Sequence, residues 1–246
     1  MRLKNQIATL TLLICSLPVF PACADDTLEE AWRHQLEIGL NGASGNSETA
    51  NIHLGFNTDY ADPIKTWKYT SAYDRSKNDG DVSANRFLAD LKRAWIWPQI
   101  PWFSFLQGRY DWDDFKDWDD RFSASGGIGY QLLKNDSWDF AGRIGLAGTI
   151  SRGSDEDIKT PELILALDLA WLISEYEHFD FTTAIYPDLD ETGEYRNLTA
   201  INWAIKMAEA RNLAIKLGIK NEYRSTVNEE KEKNDFTYNL SLLWQI

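Results

Sequence analysis

A regular alternation of apolar and polar residues constrains the fold of this chain more than any other feature. The clearest example is DFTYNLSLLWQI at residues 235–246. Its apolar positions fall on one face, which comprises Phe236, Tyr238, Leu240, Leu242, Trp244 and Ile246. Successive side chains of a β-strand point to opposite faces, so this period of two predicts a strand with one apolar and one polar face.

The same alternation recurs in about a dozen segments along the chain. They centre near residues 32–41, 48–60, 65–75, 84–97, 102–113, 120–133, 137–150, 160–173, 178–187, 195–207, 212–224 and 235–246. Each segment is about ten residues or longer, which exceeds the usual strand of a soluble sheet and matches the length that crosses a bilayer.

The connections between these segments also alternate, in this case by length. Polar and mostly long connections are GASGNS, RSKNDGDVS, DFKDWDD, SRGSDEDIKT, PDLDETGEYR and STVNEEKEKN. Tighter joins fall between them, namely ADPIK, WPQIP, LKNDS, SEYEH and AEARN. This pattern predicts an all-β fold, a single antiparallel transmembrane β-barrel of about 12 strands with short periplasmic turns and longer acidic extracellular loops. In hydrocarbon, only a closed barrel satisfies the backbone groups of every strand.

The tryptophans agree with a barrel, because most of them lie near predicted strand ends, where a membrane barrel carries its aromatic girdles. One alternative fold stays open. Residues 160–178 and 196–217 have spacings that a helix would accept, so a secreted β-sandwich with one helical hairpin is the structural rival.

The N-terminus predicts export. Arg2 and Lys4 precede an apolar run from residue 7 to residue 20, and the small residues Ala22 and Ala24 flank Cys23. We expect residues 1–24 to be a cleaved signal peptide and residues 25–246 to form the barrel domain, integral to the bacterial outer membrane. The chain has only two cysteines, both within residues 1–24, so the mature protein would have no disulfide.

Composition and motifs argue against several classes of function. The formal net charge is −13, which disfavours nucleic acid as a partner. We predict no cofactor and no enzymatic activity, because the three histidines lie on separate predicted strands without metal-ligand spacing, and no Gly-x-Ser-x-Gly elbow is present. A Ser–His pair assembled across strands would be invisible in the sequence, so a lipid hydrolase stays an alternative.

The stretch DWDDFKDWDD at residues 111–120 combines dense negative charge with aromatic residues. If Tyr110 and Trp112 face lipid, the alternate positions around them face the lumen. Extending this parity to the next two strands predicts a lumen charge cluster made of Arg109, Asp111, Asp113, Arg121, Asp139 and Arg143.

The rest of that stretch is expected to be a hydrated outer loop. A calcium loop needs a glycine at its sharp turn, and Lys116 occupies that position, so an EF-hand is excluded. No dedicated metal site is predicted. Weak cation candidates remain at Asp114, Asp117, Asp119 and Asp120.

Three stretches give the chain a resemblance to a known family. They are LNGASGNSETANIHLGF, GRYDWDDFKDWDDRFSASGGIGYQLL and IKNEYRSTVNEEKEKNDFTYNLSLLWQI. In order and spacing they resemble the salt-induced outer-membrane protein family of Gram-negative bacteria, domain of unknown function 481, over residues 30–246. The resemblance implies an outer-membrane barrel without an established biochemical activity. The salt connection comes from the family's name alone. The terminal Ile246 departs from the Phe or Trp that commonly ends such barrels.

The expected function is therefore that of a structural or envelope-stress barrel with a charged, largely filled lumen. A narrow passive pore for small solutes is the alternative, and an outer-membrane lipid hydrolase is the second. Expected partners are outer-membrane lipid and lipopolysaccharide, the barrel-assembly machinery through the C-terminal strand, and divalent cations at the acidic loops.

Overall fold

The computed structural model describes residues 32–43, 49–116, 118–153, 157–208, 212–226 and 232–246. The side chains of residues 41–43, 49 and 208 are outside the description. The predicted signal peptide at residues 1–24 also lies outside the described residues, as does Asp117. Among the described residues no helix is long and apolar enough to cross a membrane.

Twelve strands account for nearly all of the described chain. They are β1 (Arg33–Ala43), β2 (Thr49–Ala61), β3 (Lys65–Asn78), β4 (Asp81–Ile96), β5 (Trp102–Asp113), β6 (Asp120–Lys134), β7 (Trp138–Arg152), β8 (Ile158–Leu172), β9 (Glu177–Pro187), β10 (Tyr195–Ala208), β11 (Leu213–Arg224) and β12 (Asn234–Gln245). Of residues 160–178 and 196–217, for which a helix was the alternative, those that the structure describes lie in β8 to β11 or in the turns between these strands.

The strands form one closed antiparallel barrel in which each pairs with its sequence neighbours and β1 pairs with β12. The all-β prediction of about 12 strands is confirmed. Closure removes every sheet edge, so the long strands need no disulfide to prevent fraying. The seam between β1 and β12 is short and pairs Gln35–Ile38 with residues 242–245.

The two ends of the barrel differ. At the terminal end β1 begins and β12 ends, and the chain passes there from β2 to β3, β4 to β5, β6 to β7, β8 to β9 and β10 to β11. At the loop end it passes from β1 to β2, β3 to β4, β5 to β6, β7 to β8, β9 to β10 and β11 to β12.

One predicted long loop is wrong. The stretch RSKNDGDVS is almost entirely strand, and only Asp79 and Gly80 turn between β3 and β4. Their φ angles of 51° and 89° fit the two-residue turns whose twist matches that of antiparallel strands. The pattern of polar residues misled the prediction because a strand that projects past an apolar belt is polar on both faces.

The exterior is apolar along the middle of the strands. Leu40, Leu106, Leu146 and Leu240 are each more than half exposed. Outer-face tryptophans gather at the terminal end, namely Trp32, Trp67, Trp95, Trp102, Trp138, Trp171 and Trp244. Tyrosines and phenylalanines predominate at the loop end, including Tyr110, Phe122, Tyr195, Phe236 and Tyr238. An apolar belt between two aromatic girdles is the exterior of a transmembrane barrel.

The interior contains one apolar cluster among its polar side chains. Phe105, Ile164, Ala166, Ala184 and Tyr186 pack together inside, and Ile164 is fully buried. These residues come from β5, β8 and β9, so the cluster fills space between walls that do not adjoin.

The close approach of β6 and β7 gives a test of the fold. A Cβ at Gly145 would collide with the backbone of Gly126 and Gly127, whereas a Cβ at Gly148 would meet nothing within 4 Å. We expect Gly145→Val to lower the free energy of unfolding by about 3 kcal/mol or to prevent barrel formation.

Urea unfolding followed by the shift between folded and unfolded gel bands measures this effect. Gly148→Val is the matched control and should unfold at or above the wild-type urea concentration, because valine favours strands. Equal behaviour of the two variants would contradict the packing described here.

Candidate functional site: the ion-paired lumen and its closed loop end

The loop-end half of the lumen is crossed by buried ion pairs. Arg121 on β6 donates to both carboxylate oxygens of Glu222 on β11, at 2.9 and 3.3 Å. The Arg121 side chain is only 3% exposed. Because β6 and β11 lie on facing walls of the ring, this pair bridges the lumen rather than following one wall.

Two further arginines complete this bridge. Arg109 donates to both oxygens of Asp111, at 2.8 and 2.7 Å. Asp111 also lies 3.7 Å from the Arg121 guanidinium, and Arg224 donates to Glu222 at 3.0 Å. Arg121 and Arg224 thus share the Glu222 carboxylate, and Arg109 and Arg121 share that of Asp111, in an arrangement that rests on close geometry and bidentate contacts.

A side chain from the connection between β5 and β6 covers this bridge. Trp118 is 6% exposed, and its ring lies 4.6 Å from the Arg121 guanidinium carbon and 6.0 Å from that of Arg224. The indole face attracts the cations below it. The tryptophan therefore turns into the barrel mouth, although its loop is otherwise acidic.

The same connection reaches the far wall. The Lys116 ammonium lies 2.6 Å from the carboxylate of Asp235 on β12. In a ring of twelve strands, β12 is diametrically opposite β6. The described residues of this connection thus contact both the Arg121 bridge and the wall opposite β6.

A second network fills the neighbouring sector. Arg196 on β10 donates to Glu162 on β8 at 3.0 Å, and Thr149 on β7 donates to the same carboxylate at 2.7 Å. Ser123 and Thr149 are hydrogen-bonded at 3.0 Å. The Arg196 guanidinium carbon also lies 4.3 Å from the Tyr186 ring, which joins this network to the apolar cluster.

A third network lies nearer the middle of the barrel. Arg143 on β7 donates to both oxygens of Asp168 on β8, at 2.5 and 3.2 Å, and to Gln107 on β5 at 3.1 Å. Lys92 on β4 reaches the same aspartate at 3.5 Å. Gln107 in turn donates to Asp90 at 2.8 Å. This network ties β4, β5, β7 and β8 together across the lumen.

The β1–β12 seam has its own network, centred on Glu37. This buried carboxylate accepts from Ser241 at 2.5 Å and from Lys216 at 2.8 Å. His53 lies between Glu37 and Asp74, with one ring nitrogen 3.2 Å from the first carboxylate and the other 2.5 Å from the second. An imidazolium that donates from both nitrogens satisfies this geometry, because a carboxylate only accepts.

The terminal half of the lumen includes several small side chains. Inward positions there are occupied by Thr70, Thr182, Ala200 and Ala204. Lys68 also faces inward in this half, is exposed and has no ion pair with any residue that the structure describes. The Lys68 side chain is therefore accessible to solvent inside the barrel.

The structure places all six predicted lumen residues on the inner face, but not in one cluster. Asp111 binds Arg109 and Arg121, as described above. Asp113 accepts from the backbone N–H of Phe115 and shapes the turn. Arg143 pairs with Asp168 rather than with Asp139, and Asp139 accepts from Gln131 at 2.9 Å near the terminal end. Arg109, Asp111 and Arg121 thus interact with one another, whereas Asp113, Asp139 and Arg143 each have other partners, so the predicted single cluster is not formed.

The predicted weak cation candidates do not converge. Asp114 accepts from Asn85 at 2.6 Å, and Asp120 lies 3.9 Å from Arg152 on another strand. Asp119 donates its backbone N–H to the carbonyl of Arg152. Among the described residues no group of three or more His, Cys, Asp or Glu is arranged to hold a metal ion.

The acidic connection at 188–194 shows crowded like charge. The Glu194 carboxyl hydrogen-bonds to that of Glu191 and raises the pKa of Glu191. Protonation of one of two adjacent carboxylates relieves the repulsion between their negative charges.

The most important site residues that sequence reasoning missed are Trp118, Lys116 and Glu222. Strand parity places Glu222 on the inner face, but its partner lies five strands away, and no local spacing identifies it. Trp118 sits among aspartates in a connecting segment, where a hydrated loop is the ordinary expectation.

A closed antiparallel barrel with an apolar exterior and an ion-paired interior defines a β-barrel of the outer-membrane type. The family model described as a protein of unknown function, DUF481, matches residues 36–246. The chain belongs to this family, as the sequence resemblance predicted. No curated protein matches the chain significantly.

Solved structures with a similar fold are outer-membrane barrels. The NanC porin is 8% identical, with a TM-score of 0.51 over 87% of this chain and 100% of the porin. The translocator domain of the autotransporter NalP from Neisseria meningitidis is 10% identical, with a TM-score of 0.46 over 90% of each chain. A Pseudomonas aeruginosa FadL homologue is 7% identical, with a TM-score of 0.38 over 86% of this chain and 75% of the homologue. At 8% identity, the likeness to the NanC porin is one of fold.

The cross-lumen bridge predicts a specific loss of stability. Glu222→Gln removes the carboxylate charge that pairs with the buried Arg121 guanidinium across the lumen, and we expect the free energy of unfolding to fall by about 3 kcal/mol.

Asp139→Asn is the matched control, because the ion pair of Asp139 with Lys134 is largely exposed. The control should change stability by less than about 0.5 kcal/mol. Urea titration of both purified variants in detergent measures the difference, and an unchanged Glu222→Gln barrel would refute the structural importance of the bridge.

Proposed function

We propose that this protein is an integral barrel of the bacterial outer membrane whose lumen is closed at the loop end, so that it serves as a structural or envelope-stress barrel rather than an open channel. The observation that carries the proposal is the inward fold of the connection between β5 and β6. Trp118 covers the Arg121–Glu222 bridge, and Lys116 anchors the connection to Asp235 on the opposite wall.

The location in the outer membrane is supported by the apolar belt, the aromatic girdles and the fold shared with outer-membrane barrels. In this orientation the terminal end faces the periplasm and the acidic connections face outward. Outer-membrane lipid and lipopolysaccharide would surround the barrel, with divalent cations near the acidic loops. The C-terminal strand would present the assembly signal to the barrel-assembly machinery.

Membrane fractionation combined with heat-modifiable gel migration tests the location. We expect the protein in the outer-membrane fraction, with a folded band that shifts on boiling because the closed sheet resists detergent until it is heated. Recovery as a water-soluble periplasmic protein would overturn the proposal.

Conductance tests the closed lumen. In a planar bilayer we expect the wild-type barrel to be silent and Trp118→Ala combined with Lys116→Gln to give channel events, because the variant removes both attachments of the connection.

Trp112→Ala is the matched control for the conductance experiment. Trp112 lies near the same mouth but on the outer face, so its loss should leave the barrel silent. Steady open channels from the wild-type protein would refute a closed lumen and favour the pore described next.

A narrow pore for small solutes is the second candidate function. The exposed Lys68 in the terminal half of the lumen favours it, because a pore needs inward side chains that water can reach. For the lumen to become a pore, the connection between β5 and β6 would have to leave the mouth and the Arg121–Glu222 bridge beneath it would have to open. The two functions therefore differ in whether the loop and this bridge block the mouth at rest.

Catalysis is not part of the proposal. His53 has carboxylates at both ring nitrogens, which leaves neither nitrogen to take a proton from a serine. Ser241, the serine near this site, donates to Glu37 instead. Release of fatty acid from mixed phospholipids by the purified barrel, with divalent ions present, would revive the hydrolase hypothesis.

A further inference from the structure

An arginine lies on the outer face of the barrel, where the surrounding side chains are apolar or aromatic. Arg93 on β4 faces outward, as do its strand neighbours Leu91 and Trp95. Across the sheet it is flanked by Trp67 on β3 and Leu106 on β5. A guanidinium is always charged, so this position places a permanent cation against the membrane-facing surface.

Two indole rings contact the guanidinium. Its central carbon lies 4.4 Å from the ring centroid of Trp67 and 4.5 Å from that of Trp95. Contacts with both rings hold the flat group in place, because a cation is attracted to the face of an indole. Arg93 is thus fixed beside the wall and is not extended freely along it.

The donors of Arg93 have no acceptor among the described residues. Its Nε is buried without a hydrogen-bond partner. The Asp62 carboxylate, in the turn before β3, is already engaged, because it accepts from the backbone N–H groups of Ile64 and Lys65 and lies 3.5 Å from the Lys65 ammonium. A guanidinium with its donors unsatisfied near hydrocarbon is costly, so its surroundings must supply the acceptor.

The height of Arg93 in the barrel identifies that acceptor. Arg93 lies three residues from the end of β4, in the tryptophan-rich girdle of the terminal end. At about 3.3 Å per residue along a tilted strand, it stands roughly 8 Å inside the strand end. This is the boundary between hydrocarbon and headgroups, where lipid phosphates lie.

We propose that Arg93, Trp67 and Trp95 form a binding site for the phosphate of a phospholipid in the leaflet that surrounds the terminal end of the barrel. The guanidinium donates to two phosphate oxygens in the fork geometry that suits such groups, and the indoles border the glycerol region of the same lipid. This inference rests on the membrane location proposed above.

An arginine whose guanidinium simply extends into water would lack the ring contacts and the partial burial of Arg93. Arg75 supplies the comparison, since it faces outward on β3 near the loop end, is exposed and contacts no aromatic ring among the described residues. Arg93 is instead held by two rings and partly buried.

Native mass spectrometry of the purified, delipidated full-length barrel tests the site. The probes are short-chain phosphatidylglycerol, diacylglycerol with the same chains, and inorganic phosphate. We expect wild type and Arg75→Gln to bind phosphatidylglycerol equally and Arg93→Gln to bind it about tenfold more weakly, as loss of a charged hydrogen bond implies. Neither diacylglycerol nor inorganic phosphate alone should bind with comparable strength.

Equal lipid binding by wild type and Arg93→Gln would overturn the inference, and so would the absence of lipid binding by wild type. Inorganic phosphate binding as tightly as the lipid would replace a lipid site with an anion site. If Arg93→Gln does not give the heat-modifiable folded band, Arg93→Lys takes its place, and weaker lipid binding is again expected because lysine lacks the planar fork. Fractionation tests the membrane location separately, so a membrane protein with unchanged lipid binding would refute this site alone.

Discussion

The closed ring of backbone hydrogen bonds is the constraint on which the rest of the molecule depends. A strand that crosses hydrocarbon must pair on both sides, and a ring supplies this for every strand at once. The weakest place in such a ring is where the two ends of the chain meet, and here β1 and β12 share only a short ladder. Glu37 reinforces that seam, since its carboxylate contacts Lys216 on β11, Ser241 on β12 and His53 on β2. A buried charge thus joins four strands where backbone pairing is least extensive.

Ring closure also decides what the interior can be. Half of all strand residues point inward, and in a barrel of this size their side chains meet across the lumen. Buried charges in such a space are costly unless they are paired, and the networks centred on Glu222, Glu162 and Asp168 are built in this way. The Arg121–Glu222 bridge crosses the loop-end half of the interior. Trp118 and Lys116 place a connection over this bridge, which is why we propose that the loop end is closed.

Contacts between an arginine and tryptophan rings occur both inside and outside the barrel, with different consequences. Inside, the Trp118 indole covers Arg121, whose guanidinium is already paired with the Glu222 carboxylate, so the contact covers an existing ion pair. Outside, Trp67 and Trp95 hold Arg93, whose donors have no protein acceptor among the described residues. Arg121 and Arg93 differ in the source of their counter-charge. A carboxylate of the protein supplies it for Arg121, and the membrane is the available source for Arg93.

The sequence by itself determined the strands, their number, their inward and outward faces and the family, because an alternating period and regular spacing are local properties of the chain. It determined that Arg109 and Asp111 share a face, since they are two residues apart. It misplaced the turn at Asp79 and Gly80, because a strand that is polar on both faces has a sequence pattern similar to that of a loop. Only the tertiary structure decided that Arg121 meets Glu222, that Arg143 meets Asp168 and not Asp139, and that Trp118 enters the lumen. These contacts depend on how the ring curves and which walls face each other, and no local spacing records that.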